Sequence, residues 1–297
     1  MRFGIMAMQI GSLIPPGLPA EGVLAHIVGF DHAGLVRSLA GRGFNPIELG
    51  GDLALFIPQA FNPDSIEGLR RAKADLGLAY TVHLPLWSVE PSTPLGPVRE
   101  GSAHAVVEAI RATLPLDPEV LVVHATGALA AEFYRMRLPE TARGLILRLF
   151  KGNAAQSLRT ILSETGLPSR RLAIETIEFP FDLTLELAEE LDLSLCLDTG
   201  HVLAGFAGRL DFFETLERCL PRLAEIHLHD CPDLTQAHEI GYGMDHRPLG
   251  QGGLDVGRLL DRLVEAGYRG PLVFELREEE ALASLEVIRR LRPAALM

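Results

Sequence analysis

Eight short apolar runs, each closed by turn residues, recur along the chain with stretches of helical period between them. They are RFGIMAM (2–8), PIELG (46–50), AYTVHL (79–84), EVLVVHA (119–125), RLAIET (171–176), LSLCLD (193–198), LAEIHLH (223–229) and PLVFEL (271–276). Runs this short, bounded in this way, read as strands. Helical stretches such as HAGLVRSLAGRG, SIEGLRRAKADLG, REGSAHAVVEAIRATL and DVGRLLDRLVEAG separate them. In the last of these, Val256, Leu259, Leu260 and Leu263 share a helical stripe, and Gly267 follows as a stop. Strands alternating with helices call for a parallel sheet with helices outside. Eight repeats predict closure into a single (β/α)8 TIM barrel spanning residues 1–297. The competing open, doubly wound sheet normally carries a glycine-rich phosphate turn after its first strand, and GIMAMQIGSL has no G-x-G-x-x-G.

A barrel gathers the C-terminal ends of its strands at one mouth, so the residues that end the runs matter most. His83 ends the third run, His124 the fourth and Glu175 the fifth. Asp198 ends the sixth, and Gly200 is expected to let the chain turn so that His201 returns over the same mouth. The seventh run holds His227 and His229, which alternation puts on one face, and Glu275 ends the eighth. Two long loops, WSVEPSTPLGPVREG and DCPDLTQAHEIGYGMDHRPLGQGG, follow the third and seventh runs and are expected to cover the mouth. One histidine or carboxylate at a strand end is usually an ordinary capping group. Six strand ends of this kind would crowd uncompensated carboxylates together, which is costly. A divalent cation resolves the conflict by neutralising Glu175, Asp198 and Glu275 while imidazoles fill the remaining positions.

Composition narrows the partners. Acids outnumber bases 39 to 27, and the net charge of −12 repels a nucleic-acid backbone, with no Lys/Arg cluster to override it. The three cysteines show no paired spacing, and no stretch approaches the ~20 apolar residues of a membrane span. The start of the chain lacks a convincing signal-peptide pattern. A cytoplasmic protein acting on a small molecule, without a nucleic-acid or membrane partner, is expected; the oligomeric state is left open.

These phrases resemble the xylose isomerase-like TIM-barrel superfamily, which includes endonuclease IV and sugar isomerases and epimerases. The likeness runs from IELGG to VFELR, with the D-x-x-H of LDTGH and the H-x-H-D of IHLHD as its most specific pieces. In the isomerases and epimerases one metal is held by two carboxylates, one histidine and a final glutamate. The resemblance assigns those roles to Glu175, Asp198, His227 and Glu275. In the endonuclease branch a second metal shares the first glutamate and adds two histidines, here His83 and His124. A third metal there uses the D-x-x-H histidine with an Asp-x-His pair. This chain supplies His201 and His246 but has Met244 at the Asp position, so both histidines are expected to hold substrate instead. A narrower likeness, carried by YTVHLPL, LPLDPEVLVVHATG, SLCLDTGH and IHLHD, is to the cobamide-remodelling phosphodiesterases, although ETIE replaces their ENL at strand five.

The leading expectation is a metal-dependent phosphodiesterase with a two-metal site, acting on a small molecule such as a cobamide nucleotide loop. Glu175, Glu275 and His201 are its candidate catalytic groups. Its candidate ligands are His83, His124, Glu175, Asp198, His227 and Glu275, and its substrate contacts are His201, His229, His246 and Arg247. A sugar isomerase or epimerase is the alternative, with one metal and with Glu175 and Glu275 moving protons. A non-catalytic, metal-stabilised binding barrel is the third reading. Mixed nitrogen and oxygen donors suit one or two ions of zinc, manganese, iron or cobalt. Trp87 and Cys231 are expected to pack structurally, and His26, His32, His104 and His238 are given no role.

Overall fold

The computed structural model describes residues 1–6, 17, 19–235 and 240–296. At its centre is a closed parallel barrel of eight strands in sequential order. The strands are β1 (Arg2–Met6), β2 (Ile47–Gly50), β3 (Tyr80–His83), β4 (Leu121–Val123), β5 (Leu172–Glu175), β6 (Ser194–Asp198), β7 (Leu223–His227) and β8 (Pro271–Phe274). The barrel closes where β8 pairs with β1 from Arg2↔Pro271 to Ile5↔Phe274. Residues 7 and 8 of the first apolar run, and His238, lie outside the described residues.

Side-chain alternation sorts each strand into two faces. Leu49, Val82, Ile174, Leu197, Ile226 and Leu272 belong to the main apolar cluster that the barrel shares with its helices. The opposite parity faces the barrel axis. Two residues below the strand-end groups it carries Thr81, Val122, Ala173, Cys196, Glu225 and Val273, joined by Glu48 of β2, all buried. Barrel interiors are normally packed with branched apolar side chains. Val120, Val122, Ala173 and Cys196 follow that rule as a small cluster of their own. Glu48 and Glu225 do not.

The surrounding helices follow their sequence signals. The helix Val256–Glu265 buries Val256, Leu259, Leu260 and Leu263, and the Asp255 side chain accepts from Arg258 N at 3.0 Å. Such a cap contributes about 1 kcal/mol. Gly267, at φ +67°, turns the chain after it. The helix Glu278–Leu291 opens with three acids in its first turn, where the helix dipole favours them. All three cysteines are free and buried. Among the described residues no helix is long and apolar enough to cross a membrane.

Candidate metal centre

Glu175 ends β5 and presents its two carboxylate oxygens to different partners. Oε2 lies 3.0 Å from His83 Nε2 and 2.9 Å from His124 Nε2. Oε1 lies 3.2 Å from His201 Nδ1 and 3.6 Å from His227 Nδ1. His227 Nδ1 in turn lies 3.3 Å from Glu275 Oε1 and 3.9 Å from Asp198 Oδ2. Strand register explains the convergence, since Asp198 pairs with His227 and Glu175 with Cys196 just below Asp198. His124 and Glu275 stand one residue past the ends of β4 and β8.

Donors bound at about 2.0–2.1 Å around a tetrahedral cation are themselves about 3.3 Å apart. The separations around Glu175 and His227, from 2.9 to 3.9 Å, bracket that edge length. Both ring nitrogens of His227 lack a hydrogen-bond partner although the residue is fully buried. A buried imidazole whose Nδ1 faces three carboxylates is a donor set that suits a divalent cation. The residues present fit such an ion.

The charges interlock. Burial disfavours the charged form of His83, but its hydrogen bond to Glu175 and the surrounding carboxylates outweigh it and raise its pKa to about 9. For His201 burial is likewise overridden, by the charge of Asp198 and the bond to Glu175, and the pKa again rises to about 9. Burial works against ionisation of Glu175 and Glu275 too, yet the facing histidines hold both below the usual carboxylate range. Glu225, one layer down, moves the other way: burial and the neighbouring Glu48 push it well up.

Above this set lies a second group of histidines. His246 stands 3.2 Å from Glu275 Oε2 and 3.0 Å from Asp245 Oδ2, and Asp245 is also 3.6 Å from His201 Nε2. Burial opposes the charge of His246, but its bonds to Asp245 and Glu275 carry its pKa to about 11. Asp245, despite its own burial, is held at about 2 by His246 and the neighbouring imidazoles. His246 adopts φ +55°, a region that non-glycine residues seldom occupy. Arg247 is half-buried, and its backbone pairs with Asp230.

Several expectations need correction. His229 is buried and has both nitrogens engaged: Nδ1 accepts from the His246 backbone N–H at 2.9 Å, so Nε2 donates to Asp198 Oδ2 at 2.9 Å. It braces Asp198, and its ring also stands in a group with those of His201 and His246. It also lies two residues beyond the end of β7, not within the strand. Gly200 is part of the short helix Thr199–Leu203, and a Cβ there would run into the His229 ring. Close approach, not a turn, calls for glycine. Trp87 is 53% exposed and packs edge-on against the equally exposed Phe56, outside the core. The Asp-x-His spacing points to Met244 and hides Asp245; the carboxylate that reaches His201 comes from that next position.

The matches to known proteins agree with this architecture. A family model described as the xylose isomerase-like TIM barrel matches residues 36–292. An uncharacterized protein of Methanocaldococcus jannaschii is 23% identical over 239 residues, covering 77% of this chain and 75% of its own. Among solved structures, a D-tagatose 3-epimerase-like protein superposes with a TM-score of 0.70 at 19% identity, covering 99% of this chain and 98% of that one. The 3-keto-D-glucoside 4-epimerase of E. coli gives 0.67 at 17%, with coverage of 99% and 100%. Endonuclease IV of Thermus thermophilus gives 0.65 at 19%, with 98% of each chain covered. At these identities the structural likeness establishes the fold.

Proposed function

The chain belongs to the xylose isomerase-like TIM-barrel family, and from that premise we propose that it is a metal-dependent hydrolase cleaving a phosphodiester in a small molecule. The observation that carries this reading is the bridging position of Glu175: one oxygen faces His83 and His124, the other His201 and His227. A carboxylate shared in this way suits two ions side by side. His83, His124 and Glu175 would hold one, and Glu175, Asp198, His227 and Glu275 the other. When bound, the ions supply Lewis acidity, acidifying water and offsetting charge that grows on phosphoryl oxygens. Zinc, manganese, iron and cobalt all accept this mixture of nitrogen and oxygen.

The protein's own groups do the rest. Glu175 and Glu275 flank the reacting position, each within 4 Å of His227 Nδ1. His201 and His246 stand at the rim beside Glu175 and Glu275, where their ring nitrogens can contact a substrate. Arg247 supplies a cation for a substrate phosphate. A net charge of −12 favours a small substrate over a nucleic acid, and a cobamide nucleotide loop is one of suitable chemistry. A second reading, a sugar isomerase or epimerase, draws on the two glutamates facing one space and on the epimerases of similar fold.

One experiment separates the two. Replacing His83 and His124 together with alanine should remove one metal equivalent and nearly abolish phosphodiester hydrolysis, leaving the ion at Asp198, His227 and Glu275 in place. Metal analysis of both proteins is run beside a phosphodiester panel, cobamides included, and a ketose panel. A single equivalent in both proteins, with turnover of ketoses alone, overturns the hydrolase reading.

A further inference from the structure

Beneath the proposed centre, one part of the barrel interior carries glutamates where a barrel of this kind is ordinarily packed with apolar side chains. Glu48 and Glu225 are fully buried, and both Glu48 oxygens and Oε2 of Glu225 lack a hydrogen-bond partner. Thr81, paired in register with Glu48 on the next strand, donates to Glu225 Oε1 at 3.0 Å. Ligand atoms of Glu48, Glu225 and His227 all lie within 4.8 Å of one another. His227 links the two layers. Its Nδ1 faces Glu175, Asp198 and Glu275 above, and its Nε2 lies 3.4 Å from Glu48 Oε2 below.

A neutral imidazole carries one proton, and the nitrogen that lacks it is the one that can bind a cation. For Nδ1 to be the donor atom, the proton must reside on Nε2, where it needs an acceptor. Glu48 is the carboxylate on that side, a few tenths of an ångström beyond an ordinary N–H···O bond. We propose that Glu48 is a positioning residue whose carboxylate accepts from the Nε2–H of His227, which keeps the proton there and leaves the Nδ1 lone pair facing the centre. In the same layer Thr81 donates to Glu225 Oε1. The inference rests on His227 being a metal ligand, as read above. It also accounts for burying a glutamate in a barrel core: its charge reaches the cation through the ring. Carboxylate partners of ligating histidines influence affinity by 10–100-fold.

The Cys196 thiol also lies beside the His227 ring, so it is the control. Zn2+ and Co2+ are titrated into chelator-stripped protein against a competing chelator, for wild type, Glu48→Gln, Glu48→Leu and Cys196→Ala. Glu48→Gln keeps shape and an acceptor oxygen, and about a tenfold loss is expected at the ion held by His227. Glu48→Leu should lose up to about 100-fold, with a shifted Co2+ absorption spectrum, while the ion at His83 and His124 keeps its affinity. Should the leucine variant fail to fold, the glutamine variant still decides. Wild-type affinity in both Glu48 variants overturns the positioning role alone. So does equal loss of both ions, or a loss confined to Cys196→Ala. An additional wild-type equivalent that Glu48→Leu removes would make the lower layer a cation site instead. If wild type binds no ion, the centre and the inference fall together.

Discussion

Asp198 serves several neighbours at once. Its Oδ1 accepts from the His201 backbone N–H at 2.6 Å, capping the helix Thr199–Leu203, and its Oδ2 accepts from His229 Nε2. In Asp198→Asn the amide oxygen can still cap the helix, but the charge is gone and an N–H2 group is set against the His229 donor. The fold should survive while metal affinity falls at least about tenfold; unchanged metal content and activity contradict the assignment. Gly200→Ala attacks the same brace from the other side, because the new methyl meets the His229 ring. Overpacking of this kind costs about 1–3 kcal/mol, and denaturant unfolding of the variant reads it. At this scale the sequence was only partly legible. His83, His124, Glu175 and Glu275 could be found because each stands at the end of an apolar run, and His227 because it lies in the last step of alternation of one. Glu48 and Glu225 lie inside apolar runs, where a lone acid gives no end signal, although Glu225 precedes His227 by two residues and must therefore share its face. His229 obeyed the same parity, yet its nitrogens are occupied, which no spacing rule reveals.

Among the elements, the loop after β7 has the most to organise. The Asp230 carboxylate, fully buried, accepts from the backbone N–H groups of Cys231, Gly250, Gly252 and Leu254. Gly252 has no room for a Cβ because Asp230 and Cys231 fill the space. One carboxylate thus folds the segment that returns to it and that carries Asp245, His246 and Arg247 over the mouth. Removing it in Asp230→Ala orphans four donors at once, at a cost of about 3 kcal/mol or more. Unfolding should move by that amount, and KM should rise because the loop that carries Arg247 loses the side-chain bonds that hold it, although the backbone bridge between residues 230 and 247 stays. A variant as stable as wild type would show that the loop is held by something else. The acid of the H-x-H-D phrase is accordingly a scaffold for the loop, a role read from its bonds and hidden in the motif. Strand existence, by contrast, was plain from the runs. Their ends were not: β4 is only Leu121–Val123, because pairing stops where the mouth begins.

Over the whole molecule, barrel closure was legible because eight buried strands alternating with helices leave no sheet edge to protect. That closure crowds histidines and carboxylates into one low-dielectric mouth, and their protonation depends on each other. His83 and His201 both have pKa values raised from 6.5 to about 9, so without a cation they carry protons at neutral pH. The sign follows from linkage. A group whose pKa is higher when folded stabilises the fold fully below about pH 6.5, and that contribution is lost as pH rises through about 9. A cation bound by His83 must displace its proton, so uptake releases protons and apparent affinity climbs over the same window in which the metal-free protein weakens. Chelator-competition titrations at pH 6, 7, 8 and 9, with calorimetry in buffers of different ionisation enthalpy, measure both quantities. Affinity should rise from each step to the next and level off near pH 9, with protons released at pH 7. The added metal should raise the melting temperature most at the alkaline end. An affinity independent of pH, with no proton release, would mean that the imidazoles at the mouth do not exchange protons for metal.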